Sequence, residues 1–276
     1  MNHQARHAIL ALAAAASSAA AQEATNTPAA TQPAQGHLAF RERLQYVRLG
    51  DDPSPERRDI DTFVATTTLT YGVRRDMAAS LDLPLAFVSF DAPAGGEEDF
   101  GVNDLALTVK YRPFQRDLGP IDSLRLAVYG GVEIPSGDGD FSSHSWDPFV
   151  GCVFTAILGR HGINQSISYK FNTGGDLFTM RAGDGRDDAL RYDTAYLFRV
   201  SPVEYAADTT AALYATVELN GLYETGGDNE VMLGPGVLYE AKTFAAEAAF
   251  GVPVVQDVQE RPETKLTLTV GVRLLF

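Results

Sequence analysis

The residues best suited to chemistry sit in FSSHSWD (141–147), where Ser142, Ser143 and Ser145 surround His144. A serine nucleophile beside a histidine base is the minimum for acyl hydrolysis, the reaction expected of a lipid-modifying enzyme. The mature chain offers only two other histidines, His37 and His161, and no extended lipase or deacylase motif. Adjacent positions on a loop say nothing about catalytic geometry, so a solvated Ser/His turn is the favoured reading and no catalytic residue is assigned. Acidic clusters at GDGD (137–140) and GDGRDD (183–188) have the oxygen donors a hard cation prefers, but neither follows an EF-hand loop, and solvated turns explain them better. No phosphate-cradling glycine loop and no Cys/His metal cluster is present, so no cofactor or metal is expected. The chain is read as a non-enzyme.

A second set of charged residues is spread along the chain at alternating positions. The basic members are Arg41, Arg43, Lys110, Arg112, Arg125, Lys170, Arg191, Lys265 and Arg273; the acidic members are Asp82, Glu133, Asp147, Asp193, Glu218, Glu230 and Glu247. Each belongs to a stretch of period-2 alternation. In LALTVKYR (105–112), Leu105, Leu107, Val109 and Tyr111 share one face, and Ala106, Thr108, Lys110 and Arg112 the other. SLRLAVYGGVEI, INQSISYKFN and LYATVELN repeat the pattern. The segments run to about ten residues, longer than ordinary soluble strands and suited to tilted spans of a bilayer. Tyr and Phe gather near the ends of the apolar faces, as interfacial girdles require.

These features predict an all-β protein, a transmembrane antiparallel up-and-down barrel of about twelve strands. The expected spans are 38–48, 62–72, 79–88, 103–112, 123–134, 147–156, 163–172, 189–199, 210–221, 230–239, 243–252 and 264–276. Long connections after odd strands alternate with mostly short ones after even strands, PFQRDLGPID and VSPVEYAADT being exceptions. The charged set would then line the lumen, either pairing across the bore as structural bridges or guiding a permeant through guanidinium contacts to carboxylates and aromatic faces.

The remaining features fit export. Residues 1–21 have a basic start, an alanine-rich apolar run and Ala19-Ala20-Ala21, the layout of a signal peptide cleaved after Ala21. Residues 22–36, rich in Ala, Thr, Pro and Gln, read as a flexible periplasmic leader. The barrel occupies 37–276. One cysteine, Cys152, excludes an internal disulfide framework, and a net charge of −14 argues against nucleic-acid binding. Hydrophobic content is 45%, and no run approaches the roughly 20 apolar residues of a spanning helix. The terminal TVGVRLLF (269–276) alternates strictly and is expected to close the barrel against the first strand. It resembles the assembly signal of bacterial outer-membrane proteins, with Thr269, Gly271, Leu274 and Phe276 in its places, which implies recognition by the barrel assembly machinery.

GVNDLALTVKYRPF (101–114), GGVEIPSGDGDF (130–141), SWDPFVGCVF (145–154), YKFNTGG (169–175), ELNGLYE (218–224) and LGPGVLYE (233–240) together resemble the putative meta-pathway phenol-degradation family of outer-membrane proteins. Asn103-Asp104-Leu105 stands where that family has Gly-Asp-Leu. The resemblance implies a barrel in the Gram-negative outer membrane for passive uptake of small hydrophobic or aromatic compounds. A lipid-modifying hydrolase and a sealed structural barrel are the alternatives. The expected partners are outer-membrane lipid, lipopolysaccharide bridged by divalent ions at the acidic rim, and the small permeant itself.

Overall fold

The computed structural model describes residues 22–55, 57–93, 95–175, 182–206 and 208–276, so the signal-like segment 1–21 and part of the 173–188 connection lie outside the described residues. The chain forms β1 (Leu38–Gly50), β2 (Asp59–Arg74), β3 (Met77–Asp91), β4 (Glu97–Val102), β5 (Leu105–Asp117), β6 (Ser123–Ile134), β7 (Asp147–Leu158), β8 (His161–Lys170), β9 (Ala189–Ser201), β10 (Ala211–Glu224), β11 (Asn229–Ala241), β12 (Phe244–Asp257) and β13 (Glu263–Leu275). Each stave pairs antiparallel with its sequence neighbours, and β13 pairs with β1 to close the sheet. Closure extends to the last residue. Phe276 N donates to Leu38 O at 2.9 Å, and Phe276 O accepts from Leu38 N at 3.2 Å. Of the described strands only the short β4 lacks a second strand partner, and its Val102 bonds instead to Asp138 of the following loop.

Strand boundaries differ from expectation in one instructive place. Residues 97–102 form an additional strand, β4, and both β4 and β5 pair with β3. They are two halves of one stave, interrupted at Asn103-Asp104, so the barrel has twelve staves. Opposite the interruption lies Pro84 of β3, which has no N–H to continue the ladder. Asn103 N still reaches Pro84 O at 2.9 Å, while Asp104 turns aside. The long PFQRDLGPID connection also contracts, because β5 runs on to Asp117.

The alternation places apolar side chains outside. Leu44, Val109, Val150, Val237 and Val270 keep 51–54% of their surface exposed, which only a non-aqueous surrounding favours for so continuous a wall. Two aromatic belts bound it. Tyr46, Phe63 and Phe87 pack near the end with long loops, their rings 4.9 and 6.4 Å apart in sequence. Tyr169 and Phe171 join them at 4.8 Å. Toward the short-turn end stand Tyr71, Tyr111, Tyr196, and the Tyr239–Phe244 pair at 5.8 Å. On β2 the belts are Phe63 and Tyr71, a separation of roughly 20 Å once strand rise and tilt are included, close to an outer-membrane apolar band. Tyrosine hydroxyls at the long-loop belt find polar partners: Tyr46 donates to Asp61 at 2.5 Å and Tyr169 to Asp188 at 2.7 Å.

Candidate functional site: an occupied lumen

The inward positions of the staves carry the charged set read from the sequence, together with Thr, Ser and Ala. The segment among them decides what the lumen can do. Residues 22–36 enter at the short-turn end, where Gly36 N bonds to Gly72 O at 2.8 Å, and thread the interior. Gln22, Ala24, Thr25, Thr27, Ala29 and Ala30 are buried. The composition argument for flexibility applies to the free segment. Inside the barrel its backbone polar groups are satisfied by the wall, which offsets the ordering entropy.

Glu218 of β10 is the main anchor. Its Oε1 accepts from Thr25 N at 3.0 Å, and its Oε2 accepts from Asn26 N at 3.0 Å and Thr27 Oγ1 at 2.8 Å. A second anchor is a four-membered ion network. Glu247 receives Arg41 Nε at 2.9 Å on one oxygen and Arg273 Nη2 at 2.6 Å on the other. Arg273 Nη1 also donates to Glu23 Oε2 at 3.0 Å, and Arg41 Nη2 to Thr25 O at 2.7 Å. Further around the bore, Ala30 N donates to Thr155 Oγ1 at 2.8 Å, Asn164 Nδ2 to Gln22 O at 2.9 Å, and Lys110 Nζ to Ala29 O at 3.0 Å. The leader thus ties together β1, β5, β7, β8, β10, β12 and β13.

Other sequence-selected residues lie elsewhere on the inner wall. Lys170 bridges Glu133 at 3.1 Å and also pairs with Asp184. Asp193 accepts from Asn220 Nδ2 at 3.0 Å, and Arg191 donates to Ala182 O at 2.8 Å. Arg112 donates to Arg75 O at 2.8 Å near the short-turn end; the Nε of Arg125 is buried without a partner. Asp82 accepts from Thr68 Oγ1 at 2.5 Å. Within the terminal segment, Thr269 and Gly271 face the lumen, Leu274 lies against Phe244 and Phe40, and Phe276 closes the sheet. A side chain on Gly271 would place its Cβ 2.7 Å from Glu247 Oε1, so this glycine makes room for the ion network.

The long-loop mouth is narrowed by a feature that the sequence reading missed. Phe141, on a short 3₁₀ turn at Gly139–Phe141, folds inward onto Leu49, Ile60, Ala86 and Val88. Gly101 permits this, since a Cβ there would lie 2.3 Å from the ring. Asp104 holds the loop: it accepts from Gly137 N at 2.9 Å, Ser136 N at 3.0 Å, Ser143 N at 2.7 Å and Ser143 Oγ at 2.8 Å. Burial alone would raise its pKa, but the backbone N–H groups of Ser143 and Gly137 outweigh this and lower it. The only sequence signal was the departure from glycine at Asn103-Asp104.

The Ser/His cluster belongs to the same scaffold. Ser145 Oγ donates to Asp147 at 2.8 Å and Ser142 Oγ accepts from His144 N at 3.0 Å, while the exposed His144 ring bonds to none of the three serines. This arrangement does not favour the hydrolase alternative. Among the described residues, no group of three or more His, Cys, Asp or Glu is arranged to hold a metal ion.

Against known proteins, no protein-family model and no curated protein matches the sequence. Solved structures do match. An outer membrane channel from Pseudomonas putida F1 is 13% identical over 89% of this chain and 97% of its own, with a TM-score of 0.60. The β domain of the Bordetella autotransporter Brka is 15% identical over 88% of this chain and all of its own (100%), with a TM-score of 0.51. This chain has the closed antiparallel β-barrel fold of outer-membrane proteins. At these identities the likeness speaks for the fold; the lumen must speak for the rest.

Proposed function

We propose that the protein is a passive channel held closed by its own leader, with the short-turn end and the leader on the periplasmic side. It would admit small hydrophobic or aromatic compounds. The observation that carries the reading is the insertion of residues 22–36 into the bore from the short-turn end, held by Glu218, Arg41, Arg273 and Lys110. A purely structural barrel could fill its lumen with side chains from the wall. A detachable segment held by polar contacts in a wet bore suits a gate.

The permeant class rests on two supports. The resemblance to the putative meta-pathway phenol-degradation family implies aromatic compounds. The mouth around Phe141, Leu49, Ile60 and Val88 is apolar, a surface on which a ring could adsorb before meeting the charged interior. Residues 1–21 would direct export and be removed after Ala21. Thr269, Gly271, Leu274 and Phe276 would be read by the barrel assembly machinery, and the acidic outer loops would meet lipopolysaccharide through divalent ions.

Conductance of the refolded protein in a planar bilayer tests the function, with and without aromatic acids. Discrete steps that an aromatic acid blocks support a gated channel with an internal site. A folded, heat-modifiable barrel that never conducts, even without its leader, would leave only the sealed barrel.

A further inference from the structure

The leader does not fill the whole bore. Between it and the wall formed by β1, β2, β3 and β5 remains a cavity of about 410 Å³, within the range of small-molecule sites. It is bounded by the leader at Glu23 and Pro28 and by the wall at Arg43, Thr66, Thr68, Asp82, Thr108 and Lys110. Its charges are unequally satisfied. Among the acids, Glu133 is paired with Lys170 at 3.1 Å, Glu23 with Arg273 at 3.0 Å, and Asp104 is saturated by the loop it holds. Asp82 already accepts from Thr68.

Arg41 is held by Glu247 and Thr25 O, but the other two cations of the lining are less engaged. Arg43 makes no hydrogen bond or ion pair among the described residues. Lys110 Nζ has only carbonyl partners, Ala29 O at 3.0 Å and Thr31 O at 3.5 Å, both on the leader. Arg43 and Lys110 therefore face one cavity with no carboxylate in hydrogen-bond contact, although Asp82 and Glu23 share its lining, beside a row of hydroxyls from Thr66, Thr68 and Thr108 and the ring of Tyr129. What neither wall nor leader supplies is a carboxylate bonded to both cations: that of a ligand would accept from both while hydroxyls bond its remaining lone pairs.

We infer that the cavity binds a small organic carboxylate between Arg43 and Lys110, and that binding loosens the leader because the acid competes with Ala29 and Thr31 for the Lys110 ammonium. The inference rests on the closed-channel reading and adds to it a ligand class and a trigger. Lys110 is the coupling residue, shared by gate and ligand; Arg43 touches the ligand alone. A ligand shifts an equilibrium only by its differential affinity for the two states, and here the difference is one charge-assisted contact that the docked leader withholds.

The test uses the mature protein with its leader intact in nanodiscs, with benzoate as probe and benzyl alcohol as its neutral isostere. Calorimetry should show benzoate binding and no comparable binding of benzyl alcohol. Arg43→Gln should weaken benzoate roughly tenfold, the loss of one hydrogen-bonded charge. Deuterium exchange of residues 22–36 should accelerate on benzoate addition in the wild type. In Lys110→Met it should be fast beforehand and unaffected by benzoate. Equal binding of the two probes, or benzoate binding unchanged in both variants, would overturn the site. Benzoate binding with no change in leader exchange would overturn the trigger. Neither result bears on whether deleting the leader opens the pore, so the closed-channel reading stands or falls separately.

Discussion

Replacing Glu218 by alanine should release the leader. The carboxylate accepts two backbone N–H groups, Thr25 and Asn26, and the Thr27 hydroxyl, all within 3.0 Å. A hydrogen bond to a charged acceptor contributes about 1.5 kcal/mol at the low end, so three contribute about 4.5 kcal/mol gross. Water can enter the vacated space and recover about half, which leaves about 2 kcal/mol. Each 1.4 kcal/mol is tenfold, so the undocked fraction should rise roughly 30-fold. Glu218→Gln keeps an acceptor oxygen without the charge and should lie between wild type and alanine. The open-time fraction in a planar bilayer and deuterium exchange of residues 22–36 report the same equilibrium independently. A Glu218→Ala barrel that is folded by heat-modifiability, yet matches wild type in both measurements, would refute the assignment of Glu218 as anchor.

Three further outcomes follow from particular contacts. Glu247→Ala leaves Arg41 and Arg273 with Glu23 as their one remaining shared carboxylate, and should lower unfolding stability in urea by about 3 kcal/mol, the cost of breaking a buried ion pair from one side. Val109→Lys or Val270→Lys on the outer wall should cost about 2–4 kcal/mol by the same assay, while Thr66→Lys on the inner wall should cost far less; equal costs would contradict the assigned faces. The third concerns pH. Asp52, in the long loop after β1, would have its pKa raised by burial, but the Arg58 guanidinium and the Ser54 hydroxyl and N–H outweigh this and hold it at about 2, against 3.8 for the free group. A carboxylate lowered on folding stabilises fully above its unfolded pKa and loses that contribution as pH falls through the folded one. Protection of residues 51–55 from exchange, corrected for intrinsic rates, should therefore hold down to about pH 4 and fall toward pH 2. Asp52→Asn should have low protection at every pH.

The barrel was legible in the sequence because its lipid-facing and lumen-facing residues must alternate without interruption across the bilayer. That is why 105–112 and 264–276 could be assigned to faces before any coordinates. The β4–β5 break was not legible, since its cause lies across the sheet: a strand partner, Pro84, that cannot donate a hydrogen bond. The docking of the leader was not legible for a related reason. Its composition argues against an apolar core of its own, yet Glu218, Lys110, Thr155 and Asn164 lie on separate staves that converge only when the sheet closes. Phe141 looked like an ordinary loop residue because the cradle beneath it comes from β1, β2, β3 and Gly101. Gly271 was read as part of a terminal signal; its place beside Glu247 shows a packing role as well.

Residues 22–36 are proposed to close an otherwise conducting barrel. The most direct measurement compares single-channel conductance of the mature protein with that of a variant lacking 22–36, both refolded and heat-modifiable. A leader that closes the pore leaves a largely silent mature barrel and, once removed, steady, open steps. Equal conductance in the two, whether open or silent, would contradict it.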